Sequence, residues 1–325
     1  MPLDPDIAEF LELIELGRLS GKQRPLHEMS VAEARAAFAR TAAIFEGEGG
    51  DSLPVHELRL PTRDGAEIVA RLYAPHEPTA ARPLPVLLFL HGGGYVLGDL
   101  DSHDGLCRDL ARRSGWGVLS PDYRLAPEHK FPTALHDALD AVHWLAAEGP
   151  AHGLDPRRFA VAGDSVGGSL AAVLAILAAH EPGTMPLVPL RQILIYPVTD
   201  AAAAHASQER FAIGHLLESA ALDWFYGHYQ NDPADRFDWR FSPLRAADLS
   251  GVAPAYMVLA DHDPLLDEGL AYGRRLEESH VPVDIAVQSG MIHDFLRMPA
   301  ITTGATRARQ TIVDILSTLQ KGFER

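Results

Sequence analysis

The chain has 325 residues, of which 47% are hydrophobic and 22% are charged, and this composition is typical of a folded globular protein rather than a disordered one. Its formal net charge of −16 disfavours a nucleic-acid partner, because binding phosphate groups requires a cationic surface. With one cysteine, Cys107, the chain has no intramolecular disulfide.

The N-terminal sequence and the lengths of the apolar runs bear on location. The first residues, MPLDPDIAEFLELIELG, carry acids throughout and lack the basic start of a secretory signal. The longest apolar runs, PLPVLLFL and LAAVLAILAA, are far too short to span a bilayer. These features predict a cytoplasmic protein with no membrane partner.

Two helices are predicted at the N-terminus. In residues 5–17 the apolar positions follow one helix face, namely Ile7, Phe10, Leu11 and Ile14. A second helix is predicted to open at Ser30, whose spacing to Glu33 is that of a capping box, and to end near Phe45. The segment EGEGGDSLP, residues 46–54, then predicts a flexible break.

From residue 55 onward, strand patterns alternate with helix patterns. VHELRLPT and EIVARLYAP flank Asp64-Gly65 and predict an antiparallel hairpin. The continuous apolar run PLPVLLFL is typical of a buried parallel strand. Further strands are predicted in GVLSPDYRLAP, RFAVAGD, LRQILIYPV, AYMVLADHD and VDIAVQS, with helical segments between and after them. This order predicts an α/β fold with a mostly parallel, doubly wound sheet flanked by helices.

Residues 200–245 interrupt this alternation with helical material and a loop rich in Pro, Asp and Arg. Together with residues 1–45, they are predicted to form a helical cap over the C-terminal edge of the sheet. The catalytic domain would then comprise residues 46–199 and 246–325.

The sequence GDSVG at residues 163–167 stands between a predicted strand and a predicted helix. That is the setting of a nucleophile elbow, in which a strained turn exposes a serine hydroxyl, here that of Ser165. Gly163 and Gly167 leave room for the turn. A glycine-rich turn with an incidental serine is the alternative, whereas a phosphate loop would need Gly-Lys-Ser/Thr, which is absent here.

The sequence HGGGY at residues 91–95 follows a buried strand upstream of the elbow. Consecutive glycines expose backbone N–H groups, which a serine nucleophile needs where an oxyanion forms. The predicted oxyanion donors are Gly92, Gly93 and Val166. A dinucleotide-binding loop would need glycine at position 97, which is Leu97.

A serine nucleophile needs a base, and the base needs an orienting acid. When the serine lies on a nucleophile elbow, the acid and then the base follow it in the sequence. Both are expected at the C-terminal ends of strands. The predicted base is His293, in the loop after the last strand, and its main rival is His262. The predicted acid is Asp263, which lies in a loop, whereas Asp267 and Glu268 open a helix where acids are favoured anyway.

These motifs together resemble the hormone-sensitive-lipase-like family of α/β-hydrolases, the bacterial esterases with a GDSAG-type elbow. The resemblance covers roughly residues 55–320 and includes the motifs HGGGY, YRLAPEHKFP, GDSVGGSLA, LIYPVTD and DPLLDEG. The resemblance implies an α/β-hydrolase fold with a helical cap, the triad Ser165, Asp263 and His293, and the oxyanion donors named above. A homodimer is compatible with it, since dimers are common in the family.

The chain departs from the family pattern at three positions. Val166 stands where alanine is usual and Ser169 where asparagine often occurs. The larger side chain of Val166 is expected to narrow the acyl side of the pocket. Asp294 follows the base where glycine is usual, and a non-glycine residue resists a positive φ there. Substrate contacts are predicted for Tyr95, Asp164, Tyr196 and Phe225, which lie in or beside the motifs and in the cap.

The expected activity is hydrolysis of short- to medium-chain carboxylic esters, a small-molecule substrate class, through a serine acyl-enzyme. The same triad also serves amidases, lactonases and acyltransferases, and relatives that lack the histidine only bind small molecules. No cofactor or metal is expected, because the chain has neither His-Glu-x-x-His nor a Cys/His ligand cluster.

Overall fold

The computed structural model describes residues 2–46 and 53–322, so most of the break predicted at residues 46–54 lies outside the described residues. No helix in those two stretches is both long enough and apolar enough to cross a bilayer. The predicted N-terminal capping box is confirmed, since Glu33 accepts a hydrogen bond from the Ser30 N–H at 2.9 Å and donates its own N–H to Ser30 Oγ at 3.3 Å.

The described residues contain one eight-stranded sheet and nine α-helices. The strands are β1 (Val55–Pro61), β2 (Glu67–Tyr73), β3 (Leu84–Leu90), β4 (Gly117–Pro121), β5 (Leu154–Asp164), β6 (Gln192–Ile195), β7 (Ala255–His262) and β8 (Val283–Ile292). The α-helices are α1 (Pro5–Leu19), α2 (Val31–Glu46), α3 (Asp104–Ser114), α4 (Thr133–Ala147), α5 (Val166–His180), α6 (Ala206–Arg210), α7 (Ser219–Tyr229), α8 (Leu266–Glu278) and α9 (Thr303–Gly322).

The strand order is β1-β2-β4-β3-β5-β6-β7-β8. Strand β2 pairs antiparallel with both β1 and β4, and the remaining pairs are parallel. The hairpin predicted around Asp64-Gly65 is confirmed, because Val55 pairs with Tyr73 and Pro61 with Glu67. The predicted mostly parallel α/β-hydrolase sheet is likewise confirmed.

The central strands of the sheet are buried on both faces. Every residue of β3 is buried, which explains its unbroken apolar sequence. Leu87 and Phe89 pack into the core that includes α3 and α9, whereas Leu88 and Leu90 pack into the core that includes α4 and α5. Because both faces are closed, the strand ends and the loops that follow them are left to form the site.

Strands β3, β5, β6, β7 and β8 are consecutive in the sheet and parallel. Their C-terminal ends therefore lie along one edge. The glycine loop follows β3, the elbow follows β5, the acid follows β7 and the base follows β8, so residues far apart in the sequence meet there.

Candidate active site

Ser165 occupies a sharp turn between β5 and α5. Its backbone has φ 54° and ψ −121°, a conformation that an L-residue adopts only when the surroundings enforce it. A Cβ on Gly167 would collide with the Leu90 carbonyl oxygen, and a Cβ on Gly163 would collide with the Gly167 carbonyl carbon and oxygen. The two glycines therefore provide the space that the strained turn requires.

The structure brings Ser165, His293 and Asp263 together. Ser165 Oγ lies 3.0 Å from His293 Nε2, and His293 Nδ1 lies 2.7 Å from Asp263 Oδ2. The other oxygen of Asp263 accepts the Leu265 N–H at 2.8 Å, which fixes the carboxylate plane. All three side chains are buried, so their hydrogen bonds are shielded from competing water.

The electrostatics of this group favour a basic imidazole. Burial disfavours the charged imidazolium, but the charge and hydrogen bond of Asp263 outweigh that cost, so the pKa of His293 is raised above its ordinary value. Asp294 and Asp164 act in the same direction. An imidazole held this way is a suitable acceptor for a serine proton.

The rival acids and the rival histidine have other partners. His262 Nδ1 pairs with Asp261 Oδ1 at 2.7 Å. Asp267 accepts the Ser207 N–H at 2.8 Å, and Glu268 accepts the Thr199 N–H at 2.7 Å. The contacts of Asp267 and Glu268 tie the start of α8 to residues 199–207.

The structure corrects one member of the predicted oxyanion set. The Gly92 N–H donates to Asp164 Oδ1 at 2.9 Å, so it is not free to bind a ligand. The N–H groups of Gly93 and Gly94 make no hydrogen bond within the part of the chain that the structure describes. Gly93, Gly94 and Val166 all line the cavity at Ser165, and Val166 begins α5, where helix N–H groups lack intrahelical acceptors.

Of the four predicted substrate contacts, Phe225 lines the cavity and the other three do not. Tyr95 is buried and stacks on Tyr229, with ring centroids 3.8 Å apart. Asp164 is fully buried beneath the glycine loop. Tyr196 packs its ring against the His293 imidazole, with centroids 4.7 Å apart, and so supports the histidine instead of facing a ligand.

Comparison with known proteins shows which family the chain belongs to. Residues 87–297 match a family model described as alpha/beta hydrolase fold. The chain belongs to the α/β-hydrolase family. Within it, the chain belongs with the hormone-sensitive-lipase-like esterases that the motifs resemble. An ethyl acetate hydrolase of Pseudomonas putida is 47% identical over 317 residues, covering 97% of this chain and 99% of that protein.

Two further comparisons agree with this family assignment. Carboxylesterase NlhH of Mycobacterium tuberculosis is 38% identical over 261 residues, covering 78% of this chain and 80% of that protein. The hyperthermophilic esterase of the archaeon Pyrobaculum calidifontis superposes with a TM-score of 0.90 at 34% identity, covering 98% of this chain and 99% of that chain.

In this α/β-hydrolase, Ser165 and His293 line a cavity of about 710 Å³. Helices α1 and α2 and residues 216–226 contribute to its walls, so both segments predicted as the cap line the site. Phe225 also packs over Gly94, where a Cβ would collide with its ring. The third glycine of the motif thus lets the cap approach the loop closely.

An ion pair joins the two segments of the esterase that the sequence predicts as a cap. Arg18 Nη1 near the end of α1 lies 2.6 Å from Glu218 Oε1 at the start of α7. The Glu218 side chain is 8% exposed and that of Arg18 21%, so the pair is poorly screened by solvent. The contact holds α1 against residues 214–218, because the Gly214 N–H also donates to Glu218.

Three residues near the site were not predicted from the sequence. Gly94 was identifiable, because it is the third glycine of the same motif. Arg297 had a weak signal in its three-residue spacing from Asp294, which suits an ion pair across one turn. His103 had none, since only the fold brings it to Asp164. Across residues 2–46 and 53–322, no three His, Cys, Asp or Glu side chains converge as a metal site requires.

Proposed function

We propose that this carboxylic ester hydrolase acts through a covalent acyl-enzyme on Ser165, with His293 as the base and Asp263 as the acid that orients it. The hydrogen-bonded chain from Ser165 Oγ to His293 Nε2 at 3.0 Å, and from His293 Nδ1 to Asp263 Oδ2 at 2.7 Å, carries the proposal. This geometry needs no rearrangement before proton transfer.

In the first half-reaction, Ser165 Oγ attacks the ester carbonyl carbon while His293 Nε2 takes its proton. Asp263 accepts the Nδ1–H and stabilises the imidazolium that forms. When the tetrahedral intermediate collapses, the ester C–O bond breaks and His293 protonates the leaving alcohol. Water then repeats the sequence on the acyl-enzyme, releasing the acid and restoring Ser165.

The oxyanion of the tetrahedral intermediate would bind the N–H groups of Gly93, Gly94 and Val166. Support comes from the Gly92 N–H, which is occupied by Asp164 and so holds the loop in place while the next two N–H groups stay unpaired. Donors fixed before the reaction cost no reorganisation when charge develops, and this is a large term in acyl transfer.

Short- to medium-chain acyl esters are the proposed substrates. The cavity of about 710 Å³ is shared between the acyl and alcohol sides, and Val166 and Phe225 take up part of the space beside Ser165. We also propose a cytoplasmic location, from the sequence, and a homodimer, from the family resemblance. Gel filtration combined with light scattering tests whether the protein is a dimer.

Replacing the nucleophile tests the proposal directly. Ser165→Ala is expected to lower kcat on p-nitrophenyl acetate by about 10⁴-fold or more, because the acyl-enzyme no longer forms. Ser169→Ala is the matched control, since Ser169 lies one turn along α5 and its Oγ donates to the Val198 carbonyl.

A fluorophosphonate probe supplies a readout that does not depend on the ester chosen. Covalent labelling of the wild type, lost in Ser165→Ala and kept in Ser169→Ala, is the expected pattern. Undiminished turnover in Ser165→Ala would overturn the mechanism.

A further inference from the structure

The residue after the base, Asp294, is held in an unusual conformation by a buried arginine. Asp294 has φ 71° and ψ −1°, in the left-handed region that few non-glycine residues tolerate. Its Oδ2 accepts Arg297 Nη1 at 2.9 Å, and its carbonyl accepts the Arg297 N–H at 3.0 Å. The turn that carries His293 is therefore closed twice by the same residue.

Arg297 reaches well beyond this turn. It is 1% exposed, and burying a guanidinium is costly unless it is paired. Its Nη2 donates to the Ser102 carbonyl at 3.1 Å. The guanidinium carbon lies 4.5 Å from the ring centroid of Phe38 and 5.6 Å from that of Phe45, both on cap helix α2. One side chain thus contacts the base loop, the segment before α3 and the cap.

From Ser102 the contacts continue to the oxyanion loop. Ser102 Oγ lies 3.0 Å from His103 Nδ1, and His103 Nε2 donates to Asp164 Oδ2 at 3.2 Å. Asp164 Oδ1 in turn accepts the Gly92 N–H at 2.9 Å. Burial opposes ionisation of Asp164, but His103 and Arg297 outweigh it and hold the pKa of Asp164 below its ordinary value.

We propose that Arg297 is a positioning residue, which holds the His293 loop and the oxyanion loop in register and ties both to cap helix α2. The proposal rests on the proposed function, because register between base and oxyanion donors matters only if both act on one substrate. Displacements of about 1 Å from a productive geometry cost about 10²-fold in rate. Arg297 contacts the His293 loop directly and reaches the oxyanion loop through Ser102, His103 and Asp164.

The test compares two buried arginines that both contact α2. Arg309 is 3% exposed, pairs with Glu46 at the end of α2 and donates to the Leu296 carbonyl at 2.8 Å. None of the hydrogen bonds and ion pairs that it forms among the described residues involves Ser102. Arg309→Met therefore reproduces the loss of a buried, cap-anchoring guanidinium without touching the link to the oxyanion loop. Active sites are counted by complete fluorophosphonate labelling, so kcat refers to folded protein.

Arg297→Met is expected to lower kcat per labelled site by about tenfold or more with KM changed less than about twofold. Arg297→Lys keeps the charge and is expected to recover part of the loss. Arg309→Met is expected to lower the melting temperature while keeping kcat per labelled site within about twofold of the wild type. Equal kcat in the two Met variants would show that Arg297 serves only stability.

Asp294→Asn provides a second measurement should Arg297→Met fail to fold. The groups around His293 are Asp263 after β7, Asp164 and Ser165 at the end of β5, Tyr196 after β6, and Asp294 with Arg297 in its own loop. Removing the Asp294 charge lowers the pKa of His293, so the acid limb of kcat/KM moves to lower pH. It also loosens Arg297, so kcat falls as well.

An acid limb that stays in place, with unchanged kcat, would overturn the role of the Asp294–Arg297 pair. If instead the Ser165→Ala variant keeps the activity of the wild type, the proposed function itself fails. The two failures are therefore distinguishable.

Discussion

Backbone strain is concentrated around the candidate site. Among the described residues, six non-glycine residues have a positive φ, and five of them lie in or beside the site: Tyr95, Ser165, Tyr196, Leu216 and Asp294. Such conformations each cost about 1–3 kcal/mol and persist only where the surrounding structure enforces them. At Ser165 the enforcing contacts are the close approaches at Gly163 and Gly167. At Asp294 the enforcing contact is the buried ion pair with Arg297.

Val166 is the residue whose side chain bears most directly on acyl length. It is buried, begins α5 and lines the cavity beside Ser165. Val166→Ala removes two methyl groups from the wall while keeping the backbone N–H. We expect kcat/KM for p-nitrophenyl octanoate relative to acetate to rise by about threefold or more, since pocket methylenes are worth about 1–3 kcal/mol each.

Val173→Ala is the control for this measurement, because Val173 is fully buried in the same helix and does not line the cavity. It should lower stability without changing the octanoate-to-acetate ratio. A ratio that moves equally in both variants would show that loosening of α5, and not the volume at Val166, decides acyl preference.

At the scale of elements, helix α8 anchors residues 199–208, where the second predicted cap segment begins. Glu268 is fully buried and accepts the N–H groups of Thr199 at 2.7 Å and Asp200 at 3.2 Å, where the chain leaves β6 for the cap. Its other oxygen accepts the Gln208 amide at 3.1 Å. The acids of the DPLLDEG motif therefore divide their work, with Asp263 facing His293 and Glu268 holding the cap segment.

Glu268 makes stability depend on pH. Burial raises its pKa to about 8 from an ordinary value of 4.5, against the opposing effect of its backbone hydrogen bonds. Between those values the native state binds more protons than the unfolded state, so the free energy of unfolding falls as pH rises. We expect Glu268→Gln to flatten this decline, because the amide keeps an acceptor oxygen and has no charge to bury.

Urea unfolding at about pH 5 and about pH 8 measures the effect. The wild type should lose more stability than Glu268→Gln between the two values. Asp267→Asn serves as the control, since Asp267 also anchors the cap, through the Ser207 N–H, but is only half-buried. Parallel pH profiles for wild type and Glu268→Gln would contradict the assignment.

At the scale of the whole molecule, the charge of the cavity lining differs from that of the protein. The formal net charge is −16, yet the charged residues that line the cavity are mostly basic: Arg18, Lys22, Arg24, Arg40, Glu33 and Asp294. Arg24 pairs with Glu33, Arg18 with Glu218, and Asp294 with Arg297. Within the described stretches of the chain, Lys22 and Arg40 form no ion pair, so the lining carries uncompensated positive charge.

This distribution predicts a preference for anionic esters. Monoethyl succinate is expected to show a several-fold higher kcat/KM than neutral ethyl butyrate at low ionic strength, because the cations attract its carboxylate. Raising salt from about 20 to about 500 mM should remove most of the difference through screening. Lys22→Gln with Arg40→Gln should remove it as well.

Arg307→Gln with Lys321→Gln is the matched control, since both residues are exposed on α9, away from the cavity lining. This double variant changes the net charge by the same amount as Lys22→Gln with Arg40→Gln. It should leave the preference for the anionic ester intact. A salt-independent ratio, or equal loss in both double variants, would show that the lining charges do not select substrate.

Much of this architecture is determined by local sequence. The unbroken run in β3 specifies a strand buried on both faces, and Asp64-Gly65 between alternating strands specifies the hairpin. Small residues at Gly163 and Gly167 specify a tight turn around Ser165. Each of these features depends on a local physical requirement, namely burial, a left-handed backbone or the absence of a Cβ. The residues that meet the requirement are neighbours in the sequence, so a short stretch is enough to predict the feature.

Tertiary structure alone decided which groups face one another. Gly92 and Gly93 are indistinguishable in sequence, but the Asp164 carboxylate, 72 positions away, takes the N–H of the first. Tyr95 and Asp164 lie within the catalytic motifs, yet packing turns one toward Tyr229 and the other beneath the glycine loop. The buried path from Asp294 through Arg297, Ser102 and His103 joins segments 195 residues apart. Hydrogen bonds and ion pairs depend on distance in space, which the chain acquires only when its strand ends meet at one edge of the sheet.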